Sequence, residues 1–402
     1  MSFKNLFSTK KKATATPNDK YTNAESIFTA LEDGSVNLLR ASWLVDLNKK
    51  GGVLGRRQDL PAAAFISVAE LRKMYSKSKA VYGKGHRFEA KPLPIVAVSH
   101  WWRTKAHPDP KADTLKVVAL QLNYLLTERF SSGSTCKEMG LRDFGVFLDY
   151  GSLFQEPRTE EEQAAFKRSL GHINLWYAHA LTTCIMVTAP PGPDLTDIVP
   201  YHDRGWCSFE YQLALLLLTS EYISLWPQLL ENDKPGDSLY HKRPALADEH
   251  AFFEGGTCGS KIFTNGADRE IVARKWKETA IEVMSGAVNL FFQNAGWGDE
   301  EMKYLAVALR SCKNLAVLSL RGNPFTSLPQ EVGQVATLER LTLANCTQLK
   351  TLPAELAQLP KLEMIDLSGC DSLSAVPVEL RERAKGGAGK AKLELKLPPH
   401  IR

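Results

Sequence analysis

Short apolar runs alternate with longer stretches of helical periodicity through the middle of the chain. The runs are rich in β-branched residues and bounded by proline or polar residues, as is typical of buried strands; they cover residues 94–98, 143–149, 183–188 and 222–226. Apolar residues that recur on one helix face occupy residues 114–130, 159–181 and 211–218. This alternation predicts an α/β fold, a parallel sheet flanked by helices, over residues 91–285.

Residues 22–90 predict a helical lead-in to this domain. The segments 22–25 and 67–70 both have the spacing of a capping box, in which side chains bond to the free amide groups at a helix start. Ser35 is expected to cap a further helix that runs through Leu47 and ends at a glycine pair. The basic segment 1–21 is predicted to be a disordered tail, with an organelle-targeting peptide as the alternative.

A leucine pattern repeats in the C-terminal third of the chain. The motif Leu-x-x-Leu-x-Leu-x-x-Asn/Cys starts at Leu315, Leu338 and Leu362, and so at intervals of 23 and 24 residues. A weaker copy starts at residue 287, and residues 393–395 fit a terminal strand. This is the signature of leucine-rich repeats, which must stack to bury their apolar edges. We therefore predict a short leucine-rich repeat solenoid over residues 286–402.

The repeats also predict a binding surface, because the exposed strand positions of such arrays form a concave face that contacts partners. The positions expected on this face are Ser319, Arg321, Thr342, Ala344, Asp366, Ser368, Glu394 and Lys396. Their small size and mixed charge favour a protein partner. The alternative is that the repeats only extend and stabilise the α/β domain.

Composition narrows the classes of function. The chain has 402 residues and a net charge of +5, with many lysines near its two ends, so a basic nucleic-acid groove is not indicated. Its 7 Cys residues form no Cys-x-x-Cys pair, which favours reduced intracellular thiols over a disulfide framework or a zinc site. No apolar run approaches the ~20 residues of a membrane helix. We expect a cytoplasmic protein with no metal, no permanently bound cofactor, no nucleic acid and no membrane partner.

Polar and aromatic residues follow the predicted strands and open the helix after the third one. These candidate site residues are Ser99, His100, Trp101, Arg103, Asp149, Tyr150, Trp206 and Glu210. Because right-handed crossovers place the carboxyl ends of parallel strands along one edge, we expect these residues to converge there. Ligands of α/β sheets bind at that edge.

The middle domain resembles the TIR (Toll/interleukin-1 receptor) family over residues 95–230. The resemblance rests on the first strand followed by Ser99-His100, on Phe147-Leu148-Asp149, and on the motif Trp206-Cys207-x-x-Glu210. The same residues are also similar to those of proteins from unicellular algae and protists. The family implies a flavodoxin-like sheet. The insertion predicted at 231–266 has no counterpart in it.

The TIR resemblance implies that the middle domain is either an enzyme or an assembly module. Some TIR domains cleave NAD at the nicotinamide glycosidic bond, and Glu210 matches their catalytic glutamate. NAD would then be the substrate, and the other candidate site residues would line its binding pocket. Other TIR domains signal by self-association without turnover, and a glutamate near a helix start then serves only the helix dipole. Both hypotheses describe a signalling or defence protein with a repeat-based recognition arm.

Overall fold

The computed structural model describes residues 19–77, 81–82, 89–90, 93–127, 141–189, 199–217, 229–231, 261–386 and 393–401. These residues form two compact units, one extending to Trp276 and the other beginning at Lys277. Most of the predicted N-terminal tail lies outside the described residues. Its last part, Asp19–Tyr21, forms a 3-10 turn in which Tyr21 is buried.

The first unit is a mixed α/β structure. Its helices are α1 (Ala24–Glu32), α2 (Ala41–Lys49), α3 (Val68–Lys77), α4 (Asp113–Thr127), α5 (Asp149–Ser152), α6 (Glu160–Ala178) and α7 (Gly205–Leu217), and α8 (Asp268–Gly286) continues into the second unit. Its strands are β1 (Leu38–Arg40), β2 (Phe65–Ile66), β3 (Val81–Tyr82), β4 (Glu89–Ala90), β5 (Ile95–Ser99), β6 (Gly145–Leu148), β7 (Thr183–Met186) and β8 (Leu229–Glu231). Strands β3 and β4 pair as a separate antiparallel hairpin.

The main sheet has the strand order β2-β1-β6-β5-β7-β8. Strands β5 to β8 are parallel, as the alternation of apolar runs predicts. The chain adds β6 on one side of β5 and then returns to add β7 on the other. The direction of strand order therefore switches between β5 and β7, and a crevice forms at such a point outside the carboxyl ends of the strands.

Alternation along β5 divides the core between the two faces of the sheet. Val96 and Val98 pack in one cluster with residues of α2 and α4, including Leu44 and Leu115. On the opposite face, Phe147 of β6 stacks on Trp176 of α6, with ring centroids 5.1 Å apart. Each such buried side chain contributes about 1.5–3 kcal/mol. This packing on both faces fixes where each strand ends, and thus where the polar residues that follow are placed.

The lead-in is not purely helical, and the prediction of a helix starting near Ser35 is wrong. The strand β1 occupies Leu38–Arg40, and α2 begins only at Ala41. The helical spacing of apolar residues is misleading here because Leu38 and Leu39 are both buried in the sheet, where β1 pairs antiparallel with β2 and β6. Gly145 on β6 leaves room for Leu38, which a Cβ at that position would contact closely.

Two further differences concern the region after β7. The predicted fourth strand at 222–226 lies outside the described residues, and the described strand that pairs with β7 is Leu229–Glu231. Helix α7 begins at Gly205 rather than at Tyr211, so Glu210 lies in its second turn. Most of the predicted insertion also lies outside the described residues. Its last part, 261–266, pairs with the start of α7 through an isolated bridge between Arg204 and Ile262.

The second unit is a repeat structure with one five-stranded parallel sheet. Its strands, in the order β13-β12-β11-β10-β9, are β9 (Asn289–Phe291), β10 (Val317–Ser319), β11 (Arg340–Thr342), β12 (Met364–Asp366) and β13 (Glu394–Lys396), and its further helices are α9 (Asp299–Leu309) and α10 (Val378–Ala384). The register aligns the motif leucines, with Leu290, Leu318 and Leu341 in line and fully buried. The leucine pattern therefore forms the stacked core that it predicts.

The turns after these strands show why the motif contains Asn, Gly and Cys. The residues that follow the strands in successive repeats, Asn294, Gly322, Asn345 and Gly369, all have positive φ, between 52° and 74°. Asn and Gly tolerate this conformation best. One position further on, the side-chain amide of Asn323 donates to the carbonyls of residues 292 and 320 and accepts from the amides of residues 295 and 297.

Candidate functional site

The candidate site lies at the carboxyl ends of β5 and β6, beside the point between β5 and β7 where the strand order switches. Ser99 is the last residue of β5 and Asp149 follows β6 directly. Helix α7 brings Glu210 to the same place, because Ser99 Oγ donates a hydrogen bond to a carboxyl oxygen of Glu210. The structure therefore brings together residues from three separate parts of the sequence.

The start of α7 is held by residues that precede α8. Ile262 donates its amide to the carbonyl of Asp203 and accepts from the amide of Gly205, at 2.8 and 3.0 Å. The ring of Phe263 occupies the space that a Cβ at residue 205 would need. Trp206 Nε1 donates to Asp268 Oδ2 at 2.9 Å. These contacts fix the direction of the first turn of α7, and thereby the position of Glu210.

Ser99 links Glu210 to a tyrosine. Ser99 Oγ lies 2.6 Å from Tyr201 Oη, and both side chains are buried. The Tyr201 hydroxyl also donates to Met186 Sδ, at 3.4 Å. Tyr177, at the end of α6, also bonds to Glu210, and its hydroxyl lies 3.1 Å from the carbonyl oxygen of Val98. Hydroxyl groups thus surround the Glu210 carboxyl.

The surroundings favour a protonated Glu210. Burial raises the pKa of Glu210 to about 8; the hydrogen bond from Ser99 lowers this pKa, and the nearby charge of Asp149 raises it. Near neutral pH, Glu210 is therefore largely an uncharged acid that can exchange its proton within the physiological range. A shifted carboxyl group in a crevice beside a second carboxylate is a common property of functional sites.

Asp149 has the opposite electrostatic environment. Burial raises the pKa of its carboxyl, but His100 and the hydrogen bonds that it receives outweigh burial and lower this pKa overall. Asp149 Oδ1 lies 3.0 Å from His100 Nε2, and Asp149 Oδ2 accepts from Trp102 Nε1 at 2.8 Å. The site therefore pairs an ionised carboxylate with a largely neutral one, the division of roles found in many acid–base sites.

Four other predicted site residues lie near this cluster but make their contacts elsewhere. Trp101 is buried in a small cluster with Tyr201 and Cys207. Arg103 has a guanidinium nitrogen 3.4 Å from a carboxyl oxygen of Asp113 on α4. Tyr150 is buried, with its ring 4.7 Å from that of His107. Trp206 bonds to Asp268, as described above.

Sequence reasoning gave no role to Tyr177 or Tyr201 at this site. Tyr201 is the first residue of the polar stretch before α7, which was a signal that could have been used. Tyr177 carries no such signal, because it lies at the end of a helix whose apolar face gives no indication of a hydroxyl contact. Its position becomes evident only when α6 packs beside α7.

The predicted partner-binding positions of the repeats are only partly exposed. Arg321, Thr342 and Asp366 are half-buried, and Ser368 is exposed. Ser319 is buried, contrary to the prediction, because its neighbours in register on the adjacent strands, Phe291 and Thr342, cover it. Of the other predicted positions, Ala344 is also buried and Lys396 is half-buried, whereas Glu394 is exposed as predicted.

Within the described residues, no group of three or more His, Cys, Asp or Glu side chains is arranged to hold a metal ion. None of the helices in the described ranges combines the length and the apolar character that crossing a bilayer requires.

Comparisons with known proteins concern the repeats. Residues 287–370 match a family of leucine-rich repeats described as R13L1/DRL21 LRRs. A solved structure, that of the leucine-rich repeat domain of the type III effector XopL, is similar at 21% identity and a TM-score of 0.15. The match covers 22% of this chain and 44% of that chain. No curated protein matches the chain. The C-terminal unit therefore contains leucine-rich repeats.

Proposed function

We propose that the α/β unit is a TIR-like domain that binds NAD at the carboxyl edge of its sheet and cleaves the nicotinamide glycosidic bond. The observation that carries this proposal is the Glu210 carboxyl, which Ser99 holds where the strand order switches, close to the second carboxylate of Asp149. The order of the four parallel strands, β6-β5-β7-β8, also corresponds to the 2-1-3-4 part of flavodoxin-like sheets, which bind nucleotides at the switch point. NAD is the substrate in this proposal, and no cofactor is bound permanently.

The proposed reaction needs negative charge beside the ribose. The bond between ribose C1′ and the pyridinium nitrogen breaks, and its electron pair leaves with nicotinamide, which becomes neutral. Positive charge then develops on the ribose, and an ionised carboxylate stabilises it, as in glycoside cleavage. Water adds to C1′ and releases a proton. Glu210 is the proposed carboxylate, and Asp149 adds to the negative potential.

This role makes the reaction depend on pH. An acid whose pKa is raised to about 8 is ionised only above that pH. Because kcat/KM reports the ionisation of the free enzyme, it should rise roughly tenfold per pH unit below about pH 8 and level off above it. The bound pyridinium cation favours the ionised form, so the corresponding limb of kcat should lie at lower pH.

The closed environment of the carboxyl group favours a second candidate function. Ser99 and Tyr201 are buried, and the Glu210 carboxyl is already bonded to Ser99 and Tyr177. In this alternative, the hydroxyl groups around Glu210 only satisfy a structural carboxyl group. The TIR-like domain is then a catalytically inactive module that acts by self-association.

Both candidates assign the repeats to a protein partner in a signalling or defence protein. Leucine-rich repeats present a concave sheet face to their partners. Arg321, Thr342, Asp366 and Ser368 are the partly or fully exposed residues that we assign to this contact. The unit's match to a leucine-rich repeat family supports such a role.

Nicotinamide release from NAD distinguishes the two candidates. The assay compares the wild type with Glu210→Gln, which keeps the size of the side chain but cannot ionise. Glu161→Gln, an exposed change on α6, is the matched control. We expect turnover by the wild type and the control and a loss of at least about 100-fold in Glu210→Gln. No nicotinamide release by any of the three proteins at high concentration, where self-association is favoured, would support the inactive module, whereas equal turnover by all three would show that Glu210 is not the catalytic residue.

A further inference from the structure

A small cavity lies between His100 and the start of α4, and most of the surface that lines it is apolar. Its volume is about 10 Å³, and His100, Asp109 and Thr114 are among the residues that line it. These three residues are 7%, 6% and 3% exposed. Each has one atom without a hydrogen-bond partner in the protein, namely His100 Nδ1, Asp109 Oδ1 and Thr114 Oγ1. Buried polar groups nearly always have partners, so three such atoms around one cavity need an explanation.

The tautomer of His100 follows from its bond to Asp149. The carboxyl oxygens of Asp149 accept from Trp102 Nε1 and from the amide of Tyr150, at 2.8 and 2.6 Å. An ionised carboxylate can only accept, so the hydrogen in the bond to His100 belongs to Nε2. In the neutral ring, Nδ1 is then an acceptor that requires a donor from the cavity.

The protein itself does not supply that donor. Asp109 Oδ2 accepts from the amide of Leu115 at 2.8 Å, and Oδ1 lies 3.9 Å from Arg103 Nε. Asp109 Oδ1 is therefore a second acceptor without a hydrogen-bond donor in the protein, on a residue that lines the cavity. Thr114 Oγ1 has one hydrogen, and it is not within bonding distance of either acceptor.

We propose that this cavity binds one water molecule, which holds His100 in its Nε2-protonated form. The water donates one hydrogen to His100 Nδ1 and the other to Asp109 Oδ1, and it accepts the hydrogen of Thr114 Oγ1. This arrangement satisfies all three atoms with three bonds, the usual number for a buried water. A volume of about 10 Å³ holds a single water and excludes any larger ligand. The absence of a further carboxylate or thiolate among the unpartnered atoms disfavours a metal ion.

The water gives His100 a defined role. Its Nδ1 accepts from the proposed water, and its Nε2 lies 3.0 Å from Asp149 Oδ1. We infer that His100 is a positioning residue, which fixes the rotamer of Asp149 at the end of β6 rather than contacting a ligand through Nδ1. The hydration site also connects His100 to the first turn of α4, where Asp109 and Thr114 lie on either side of the helix start at Asp113.

The first test is a high-resolution crystal structure of the full chain. It should show one water within hydrogen-bonding distance of His100 Nδ1, Asp109 Oδ1 and Thr114 Oγ1. A cavity without density, or density for a larger group or a metal ion, would overturn the proposal. The nitrogen chemical shifts of ¹⁵N-labelled histidine provide an independent readout. His100 should appear as a neutral ring with its proton on Nε2, and a proton on Nδ1 would refute the assignment.

The second test uses two variants of Thr114. Thr114→Val keeps the shape of the side chain but removes the hydroxyl group, whereas Thr114→Ser keeps the hydroxyl group. Thr114→Val should lower the folding equilibrium constant about tenfold relative to Thr114→Ser, the effect of losing one buried hydrogen bond. It should also change the His100 Nδ1 shift, while Thr114→Ser should not. An unchanged shift in Thr114→Val would show that no shared water joins the two side chains.

Discussion

The raised pKa of Glu210 has a consequence for stability that does not require any activity. Glu210→Gln replaces the carboxyl group with an amide of the same size, whose oxygen can still accept from Ser99 Oγ. The wild-type side chain is protonated in the folded protein up to a pKa of about 8, against an ordinary value of 4.5. Folding therefore binds a proton between these two values, and the stability of the wild type falls as pH rises through this window.

The size of the effect follows from the shift. A difference of about 3.5 pKa units at ~1.36 kcal/mol per unit gives an upper value of about 5 kcal/mol. Glu210 is only partly buried, so solvent relaxation around the ionised group should reduce this to about 2–4 kcal/mol. Relative to the wild type, Glu210→Gln should therefore gain that amount of stability between about pH 5 and pH 9.

Urea unfolding at about pH 5, 7 and 9 measures this gain, provided that the signal followed reports the unfolding of the first unit. Glu70→Gln is an informative control. Its hydrogen bond with Arg40 lowers the pKa of Glu70, so the stability that it contributes is present above the ordinary pKa and is lost only as pH falls below it. The deficit of Glu70→Gln should be constant from about pH 5 to pH 9. If the difference between the wild type and Glu210→Gln is also constant, the assigned environment of Glu210 is wrong.

Three further predictions concern packing and the repeats. Gly205→Ala should destabilise the first unit by about 1–3 kcal/mol in urea unfolding, because the added Cβ overlaps the ring of Phe263. Combining Gly205→Ala with Phe263→Leu should recover part of this loss of stability. The absence of any recovery would contradict the contact. Asn323→Ala should cost the repeat unit at least about 2 kcal/mol in thermal unfolding, because it leaves buried backbone groups without partners, and a change within error would refute this role. Leu341→Ala should cost about 2–5 kcal/mol by the same measurement, whereas Val378→Ala, at a 67% exposed position, should be nearly neutral; similar losses in both would argue against the stacked core.

The sequence predicted the parallel sheet well because the central strands are buried on both faces. In a protein of this composition, a short continuous apolar run such as the one that ends at Val98 rarely forms anything other than a buried strand. Of the polar residues that follow the strands, Ser99, His100 and Asp149 meet Glu210 as expected, because the handedness of the crossovers determines where strand ends meet. The leucine-rich repeats were predicted equally well, because each repeat has the same residue types at the same positions of its motif.

What the sequence did not predict depends on contacts between distant segments. The strand at Leu38–Arg40 has apolar residues at helical spacing, and only its pairing with β6 decides that it is extended. Ser319 was expected to be exposed because strand positions alternate, yet large neighbours in register cover a small side chain. Tyr177 and the partners of Arg103 also became apparent only from packing. Local periodicity does not contain this information.

The antiparallel strand β1 has a consequence for how the first unit can be divided. It covers the side of β6, a strand whose residues Gly145–Leu148 are all buried. A fragment that began at residue 91 would leave the backbone amides and carbonyls of this apolar strand open to another chain, and it would tend to aggregate. In the intact unit, the outermost strand on that side is Phe65–Ile66, only two residues long. Such a short strand offers little template for intermolecular strand pairing, so the N-terminal segment protects this edge of the sheet.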